Sequence, residues 1–450
     1  MEFELRIVVE KVAISTQEVV ERNTLKTYDI EAPQSILELG LRHAEQISLL
    51  SKVQNSILAE QCKLIRKDHK TCPNCGGKLG RNGTTKSKFH AVFSDHQLTI
   101  QKHRCQNPDC RWQQSSTTNA VFGSNIHPDL AKLQCEQGAN FSYRQAQENL
   151  EKINTCHRSI NNHTQISRLS AQVGEMLCQQ NLMTPQSEEC AEPVESIILQ
   201  VDGGHIPIKE KQKRSFEALF AVAYRPENLQ PIDNNHRTIV DKSCAISARE
   251  DNLETMKTYV LNTALKQGLN SNTIVTALAD GAQNCWSVIQ ALQPHCKHIE
   301  AILDWFHIGK KFQPLLNSLA ENERESLENA KWKLWHGQAT EALEKLTILR
   351  NQIKDQKQKS KLKALQDYLQ GNQKYLINYE QRQQSNQTFT SQVAESHIDS
   401  VINARHKRDG KMQWSREGAH NVLQIRAAMV SQEWQNNWHK AVLPALGVVA

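Results

Sequence analysis

The sequence predicts an α/β protein whose main domain contains a mixed β-sheet with both faces covered by helices. Three strand-like segments follow one another between residues 196 and 247, and helices and strands then alternate to about residue 307. Such an order is typical of a mixed sheet. From about 307 to 390 the segments have helical spacing and high charge, which predicts a large all-α insertion in this domain.

The elements of this domain follow from local patterns. The strings "SIILQVDGG", "SFEALFAVAYR" and "HRTIVDKSCAIS" predict three strands, and residues 252–269 predict an amphipathic helix ended by Gly268. "NTIVTALAD" and "HIEAILD" are apolar runs that predict two more strands, each leading into a helix. In the insertion, Trp332 and Trp335 are expected to anchor the core.

The chain divides into five predicted regions. Residues 1–70 form a strand and helical region, 71–115 a zinc ribbon, 120–180 a helix-turn-helix-like module, 181–195 a linker with two prolines, and 196–440 the α/β domain. At 450 residues, the chain has room for two to four domains.

Composition places few limits on the partners. The net charge of +6 and the pI of 8.6 permit an anionic partner without demanding one. A mean hydropathy of −0.60 leaves no apolar run long enough to span a bilayer, and "MEFELRIVVEKV" lacks the apolar block of a signal peptide. We therefore expect a cytoplasmic protein with reduced thiols.

Two acids follow buried strands and are each succeeded by glycine. Asp202 closes the first predicted strand, and Asp280 closes "IVTALAD". If the two strands are parallel neighbours, their axes lie about 4.8 Å apart and the carboxylates meet at one edge of the sheet. Two carboxylates so close favour a divalent cation such as Mg²⁺ or Mn²⁺. The alternative is that each acid is an ordinary turn or helix-capping residue.

A third acid could come from either of two places. Asp304 follows the next strand, in "ILDWFHIGKK". Glu395 lies in a predicted amphipathic helix whose inward residues are expected to be Val393, Ile398, Val401 and Ile402. For Glu395, the alternative is an ordinary glutamate near a helix start.

Four strings between residues 195 and 440 carry a family resemblance. They are "DGGHIPIK", "ALADGAQNCWSVIQALQPHC", "ILDWFHIGKKFQ" and "ESHIDSVINARHKRDGKMQWSREGAHNVLQIRAAM". This part of the chain resembles bacterial insertion-sequence transposases of the ISKra-four type, which are related to the Mutator group. The resemblance implies an RNase H-like catalytic domain of the DDE class with a helical insertion.

The resemblance also implies a set of site residues. The catalytic, metal-binding acids fall on Asp202, Asp280 and Glu395, with Asp202 expected to bridge two Mg²⁺ or Mn²⁺ ions. His307 is expected to hold one of the metal-binding acids in place or to contact DNA. Asp304 is a candidate for a metal ligand or for a helix cap. The "DWFH" string departs from the Cys/His pair of Mutator-type relatives.

Two cysteine pairs predict a structural zinc site. Cys72 and Cys75 lie in "CPNCGG", and Cys105 and Cys110 lie in "CQNPDC" about 30 residues later. Four thiolates brought together by a hairpin are typical of a zinc ribbon. The alternative is four reduced structural thiols. Arg104 and Arg111, beside the second pair, are expected to contact phosphates.

Residues 142–174 predict a short helix, a tight turn and a second, polar helix. This pattern favours a helix-turn-helix module, although many helical hairpins share it. The residues expected to face DNA are Arg158, Asn161, Asn162, Gln165 and Arg168. Further along, the basic residues expected to follow phosphates near Glu395 are Arg405, Lys407, Arg408 and Lys411.

Together these observations predict a transposase that binds the terminal inverted repeats of its mobile element and the target DNA. It is expected to act as a homodimer or larger assembly at the bacterial nucleoid. Two alternatives remain open at this point. One is a zinc-ribbon and helix-turn-helix DNA-binding regulator with an inert RNase H-like domain, and the other is a structure-specific nuclease that does not join strands.

Overall fold

The computed structural model describes residues 3–65, 70–113, 116–154, 157–232, 237–391, 398–407 and 412–447. The chain forms two compact units. The first contains residues 1–170 and 438–450, and the second contains residues 171–437. No helix in the described ranges is long and apolar enough to cross a membrane.

The first unit begins with a β-hairpin and a long helix. Strands β1 (Phe3–Val12) and β2 (Val19–Ile30) pair antiparallel, and helix α1 spans His43–Leu64. A second antiparallel hairpin follows, with β3 at Leu79–His90 and β4 at Asp95–Cys105. Buried Leu98 and Ile100 of β4 pack with Cys62 of α1, because alternate strand positions point to one face.

Helices complete the first unit. They are α2 (Thr118–Phe122), α3 (Pro128–Asn140), α4 (Tyr143–Asn154) and α5 (His163–Leu182), the last of which ends in the second unit. The predicted helix pair of residues 142–174 is therefore present as α4 and α5. The predicted tight turn between them is wrong, because eight residues, including a short 3₁₀ segment at Ser159–Asn161, separate the two helices.

A five-stranded mixed sheet forms the centre of the second unit. Its strands are β5 (Ser196–Pro207), β6 (Ser215–Tyr224), β9 (Ser243–Ser247), β10 (Ile274–Ala279) and β11 (His298–Leu303). They lie in the order β11–β10–β5–β6–β9, with β5, β10 and β11 parallel and β6 antiparallel to its neighbours. The predicted mixed sheet is confirmed. The predicted third strand is divided, because short β7 (Leu229–Pro231) and β8 (Arg237–Ile239) form a separate hairpin before β9.

Helices accompany the sheet and form the predicted insertion. Those between the strands are α6 (Glu254–Lys266) and α7 (Gln283–Gln290). The insertion contains α8 (Trp305–Leu316), α9 (Glu321–Trp335), α10 (Ala339–Gln352), α11 (Gln356–Gly371) and α12 (Tyr379–Gln384). Trp335 is half-buried against Trp305 and Tyr379, whereas the predicted core role of Trp332 is wrong because its side chain is 56% exposed.

The C-terminal part of the second unit packs beside the sheet. A π-helical turn at Asp399–Asn403 continues into a short helix at Ala404–His406, and a longer helix spans Arg416–Val430. A four-residue helix at Trp434–Asn437 ends this unit. Residues 438–447 belong to the first unit and contain a π-helical turn at Trp438–Val442 and a helix at Leu443–Ala445.

Two buried histidines make the second unit sensitive to acid. Burial, followed by the nearby charge of Arg405, lowers the pKa of His406 to about 3. Burial, followed by the charge of Arg249, lowers the pKa of His420 to about 4, and His420 accepts a hydrogen bond from the backbone N–H of Ala248. Because the unfolded chain binds these protons at its ordinary pKa near 6.5, stability is complete above that pH and is lost as the pH falls.

We therefore expect the free energy of unfolding to fall by about 2 kcal/mol per histidine between pH 7 and pH 5. Urea unfolding at the two pH values measures this difference. The variant His406→Phe should show roughly half of the loss, because one of the two protonations is removed. An equal loss in the variant and the wild type would contradict the assignment of His406.

Candidate functional site

Three aspartates emerge at one edge of the sheet. Val201 of β5 pairs with Ala279 of β10, and Ala279 pairs with Leu303 of β11, so the three residues lie in one row across parallel strands. The next residue of each segment is an aspartate, and these are Asp202, Asp280 and Asp304. The predicted parallel neighbours are confirmed, because β5 and β10 are adjacent in the sheet.

Asp202 lies within its strand rather than at the strand's end. Pairing with β10 stops at Val201, but β5 continues to pair with β6 as far as Pro207. The prediction that Asp202 closes this strand is therefore wrong. The two following glycines provide space instead: the Glu217 carboxylate occupies the position that a Cβ of Gly203 would need, and Ile402 lies 2.7 Å from the corresponding position at Gly204.

Asp280 lies in the sharp turn between β10 and α7. Gly281 has φ +98°, a conformation that favours glycine. The Asp280 carboxylate accepts a hydrogen bond of 2.8 Å from the backbone N–H of Ala282, and the Tyr368 hydroxyl donates one of 2.8 Å to the Asp280 carbonyl. Helix α11 thereby fixes the backbone of the turn, while the half-buried carboxylate stays at the edge of the sheet.

Asp304 is a fully buried helix cap. Its Oδ1 accepts hydrogen bonds from the backbone N–H groups of Phe306, at 3.1 Å, and Ser391, at 2.9 Å. Its Oδ2 accepts from the Ser391 hydroxyl and from His307 Nδ1, the latter at 2.7 Å. Both oxygens are thus occupied within the protein. The capping alternative is confirmed, and this geometry argues against the predicted role of Asp304 as a metal ligand.

His307 connects Asp304 to Asp202. Its Nδ1 donates to Asp304, and its Nε2 lies 3.6 Å from Asp202 Oδ2. Burial acts to lower the pKa of His307, but the hydrogen bond to Asp304 and the charges of Asp304, Asp202 and Asp280 outweigh it and raise that pKa. Protonation of His307 is thereby favoured, and the imidazolium form carries an N–H on the nitrogen that faces Asp202.

Glu395, Val393, Arg408 and Lys411 lie outside the described residues. The described continuation of the Glu395 segment has the predicted pattern, because Ile398, Val401 and Ile402 are all buried. Ile398, three positions after Glu395, lines the same small pocket as Asp202 and Asp280. The described residues that follow Glu395 in the sequence therefore reach the acidic edge of the sheet.

Sequence reasoning missed Glu217, a half-buried acid on β6. Its Oε2 accepts a hydrogen bond of 2.6 Å from the side chain of Asn284, four residues after Asp280. Burial, and then the charges of Asp280, Asp202 and Glu217, raise the pKa of the Cys285 thiol, so the three acids share one neighbourhood. The available signal was a single acid in the apolar strand "SFEALFAVAYR".

The four predicted cysteines converge at one end of the β3–β4 hairpin. The Sγ atoms of Cys72 and Cys110 lie 3.9 Å apart, and those of Cys75 and Cys105 lie 3.4 Å apart. In the described part of the chain, no other group brings three or more potential metal ligands within 4.8 Å of one another. The aspartates of the sheet edge therefore do not form such a group among the described residues.

Backbone N–H groups and two glycines shape the turns around these thiols. Gly76 has φ +69°, and its N–H donates to the Cys72 carbonyl. A Cβ at Gly77 would lie only 3.3 Å from the Cys75 sulfur. A hydrogen bond from the Asn74 side chain, followed by one from the backbone of Trp112, lowers the pKa of the Cys110 thiol to about 7. This favours the thiolate of Cys110, the form that binds metal. Against a hydrogen bond from the Asn107 backbone, burial and the neighbouring thiols raise the pKa of Cys105 to about 12.

Two residues predicted to face DNA are structural. Arg158 is buried, and its guanidinium forms an ion pair with Asp95 and donates to the carbonyls of Ala91 and Val92. Asn161 is fully buried and accepts a hydrogen bond of 2.9 Å from Gln134. The predicted DNA contacts of Arg158 and Asn161 are therefore wrong, because their polar groups face the interior of the unit.

Arg405 is also buried rather than exposed to a DNA backbone. Its guanidinium lies over the Trp414 ring, 4.6 Å from the centroid, and the side chain is 1% exposed. The predicted phosphate contact of Arg405 is therefore wrong, and the residue packs the C-terminal segment instead. Other predicted contacts are at least partly accessible: Arg104, Arg111, Asn162, Gln165, Arg168 and Lys407.

Asn162 has an additional structural role. Its Oδ1 accepts a hydrogen bond of 2.9 Å from the backbone N–H of Gln165, and so it caps the start of α5. Gln165 in turn accepts a hydrogen bond from Arg168. A substitution of Asn162 therefore changes helix stability as well as any contact with a ligand.

One family matches most of the chain. The uncharacterised protein family UPF0236 matches residues 125–440, which include α3, α4 and α5, the five-stranded sheet with its three aspartates, and the helical insertion. The four-cysteine group precedes the matched region. A comparison with curated proteins found no match. Because the matched residues make up more than half of its length, the chain belongs to the UPF0236 family.

Proposed function

We propose that this protein is a transposase that binds the ends of a mobile DNA element and catalyses metal-dependent strand cleavage and strand transfer. Asp202, Asp280 and Glu395 are the catalytic acids in this proposal. The observation that carries it is the register of β5 and β10, which places Asp202 and Asp280 side by side at one edge of the sheet. A carboxyl edge of parallel strands is where α/β sheets bind their ligands.

The topology supports an RNase H-like assignment. Three strands of the sheet in succession, followed by alternating helices and strands, agree with the RNase H-like fold that the resemblance implies. Asp202 and Asp280 come directly after the paired residues of adjacent parallel strands. Among the described residues, five helices, α8 to α12, lie between β11 and the segment of Glu395. These features agree with the resemblance to DDE transposases, in which an insertion separates the second aspartate from the glutamate.

The residues at this edge fit hard divalent cations. The carboxylates of Asp202 and Asp280 are half-buried, and oxygen ligands of this kind suit Mg²⁺ or Mn²⁺. Asp304 is excluded from the ligand set because its two oxygens accept four hydrogen bonds. Two bound cations would activate the attacking water or 3′-hydroxyl and would stabilise the leaving oxygen of the phosphodiester.

The surrounding residues would hold the two aspartates in place. His307, itself oriented by Asp304, faces one oxygen of Asp202, while the backbone N–H of Gly203 donates to the other at 2.7 Å. Tyr368 and Gly281 fix the turn of Asp280. Such support matters because a catalytic carboxylate that shifts by about 1 Å loses much of its effect.

We propose that the four cysteines bind one structural zinc ion. Tetrahedral zinc with bonds of about 2.3 Å to sulfur requires sulfur atoms about 3.8 Å apart. The pairs Cys72–Cys110 and Cys75–Cys105, at 3.9 Å and 3.4 Å, agree with that geometry. The exposed Arg104 and Arg111 beside this group, and Arg168 on α5, are the proposed DNA contacts of the first unit.

Purified protein should contain about one zinc ion per chain, and the double variant Cys72→Ser/Cys75→Ser should contain none, because two of four ligands are removed. Elemental analysis measures the content. Cys190→Ser serves as the control, since Cys190 lies outside the four-cysteine group. A zinc-free wild-type protein, purified without chelators, would contradict the assignment.

A cleavage assay tests the proposed activity. Full-length protein is incubated with Mg²⁺ and labelled DNA taken from the flanks of its own reading frame, where the element ends are expected. The proposal predicts both cleaved and joined products. Cleavage without joining would instead indicate a nuclease. Binding without cleavage, with either Mg²⁺ or Mn²⁺, would indicate a DNA-binding regulator and contradict the enzymatic role.

A further inference from the structure

The first hairpin exposes an unusual amount of apolar surface. In strands β1 and β2, six large apolar side chains are each more than 40% exposed: Phe3, Leu5, Val12, Val19, Val20 and Ile30. Within the described residues, β1 and β2 pair only with each other, so each has an open edge. Two-stranded sheets are marginally stable alone, and long open edges are sites of pairing with another chain.

The two edges differ in regularity. Ile7 pairs with Lys26, whereas Val8 pairs with Thr24, so Leu25 is an extra residue on β2. Val20 is a second extra residue on β2, because Lys11 pairs with Glu21 and Val12 pairs with Val19. Both bulges therefore lie on β2, while β1 is a regular strand of ten residues. Because bulges protect an edge against pairing, β1 is the edge that remains suited to it.

The side chains of β1 are self-complementary in a register that overlaps most of the strand. In an antiparallel pair of identical strands related by a two-fold axis, a register centred on Val8 places Arg6 opposite Glu10 of the second copy, twice. It also places Ile7 opposite Val9. Centring on Leu5 also pairs Arg6 with Glu4, but the strands then overlap only over Phe3–Ile7. Centring on Ile7 would place Glu4 opposite Glu10, and centring on Val9 forms no pair of opposite charges. Opposite charges and β-branched pairs across strands stabilise a sheet, whereas like charges destabilise it.

We propose that two copies of this chain associate by antiparallel pairing of their β1 strands, centred on Val8, to form a four-stranded sheet. This pairing extends a row of opposite charges across the strands. Within each hairpin, Arg22 of β2 already forms an ion pair of 2.6 Å with Glu10, its partner on β1. Each Glu10 then lies between Arg22 of its own chain and Arg6 of the second copy. This interface does not depend on the proposed catalytic activity.

Cysteine cross-linking in the full-length protein tests the register. In the variant Val8→Cys, the two introduced thiols face each other across the axis, and mild oxidation should link the copies. The control is Ile14→Cys, whose side chain at 91% exposed is far more accessible. The same register separates the two copies of residue 14 by about 40 Å, so this variant should not link beyond the wild-type level.

Charge reversal tests the proposed ion pairs. Arg6→Glu places two pairs of like charges across the interface and should weaken the dimer about tenfold, as measured by analytical ultracentrifugation. Adding Glu10→Arg to the same chain recreates opposite charges and should restore much of the affinity. Lys26→Glu, the same change of charge on β2, is the control and should leave the dimer unchanged. Circular dichroism shows whether each variant is folded.

Two results would overturn the proposal. One is a wild-type protein that stays monomeric at every accessible concentration. The other is a dimer in which Val8→Cys links no better than Ile14→Cys, or in which Arg6→Glu has no more effect than Lys26→Glu. A dimer of that kind uses a different surface, whatever the outcome of the cleavage assay.

Discussion

Replacing either Asp202 or Asp280 by asparagine is expected to lower the rate of DNA strand cleavage by about a thousandfold or more. Asparagine keeps the size of the side chain but removes the negative charge that a divalent cation requires. Both side chains are half-buried at the sheet edge. Asp202 accepts a hydrogen bond from the backbone N–H of Gly203, and Asp280 accepts one from Ala282. The amide oxygen of asparagine can accept the same hydrogen bonds. The fold and the affinity for DNA should therefore be retained.

Labelled element-end DNA with Mg²⁺ measures the cleavage, and a binding assay without metal measures the affinity. Glu395→Gln should behave like the two aspartate variants. The matched control is Glu217→Gln, which removes a charge from the same neighbourhood without touching a proposed metal ligand. Cleavage at the wild-type rate by any of the first three variants would remove that residue from the catalytic set.

Replacing Asp304 by alanine is expected to lower the free energy of unfolding of the second unit by about 3–5 kcal/mol. The substitution leaves the buried donors of Phe306 and Ser391 without an acceptor, and it removes the partner of His307 Nδ1. Denaturant unfolding measures this loss. The orientation of His307 towards Asp202 should also be lost, so cleavage should fall even at temperatures where the variant is folded.

Glu300→Ala provides the matched control for this prediction. Glu300 lies on β11, four residues before Asp304, but its side chain is 42% exposed and its ion pair with Arg382 is accessible to solvent. Exposed ion pairs contribute about 1 kcal/mol or less. If Asp304→Ala lowers the free energy of unfolding no more than Glu300→Ala does, the buried hydrogen bonds of Asp304 contribute little to stability.

Much of the sheet and of the acidic edge could be predicted because the signals are local. A run of six residues, five of them apolar, that is followed by Asp-Gly predicts both a buried strand and the position of an acid at its end, as at Asp280. The cysteine pairs are local signals too, since each pair forms one turn. For these residues, neighbours in the sequence are also neighbours in the structure. Long-range contacts add only the register in which the strands pair.

The errors concern residues whose environment is set by distant partners. Arg158 lies in a polar segment and resembles a surface residue, but its carboxylate partner Asp95 is 63 positions earlier. Arg405 lies in a basic run, and only the fold places Trp414 against it. Glu217 was missed because it becomes informative only when the pairing of β5 with β6 brings it beside Gly203.

The central claim is that three acids from distant parts of the sequence hold the same divalent cations. Crystals of the full-length protein with element-end DNA and Mn²⁺ test this most directly, through the anomalous scattering of manganese. The account predicts manganese within about 2.5 Å of carboxylate oxygens of Asp202, Asp280 and Glu395. Manganese bound to the two aspartates with Glu395 on a remote face, or no manganese at this edge of the sheet, would contradict it.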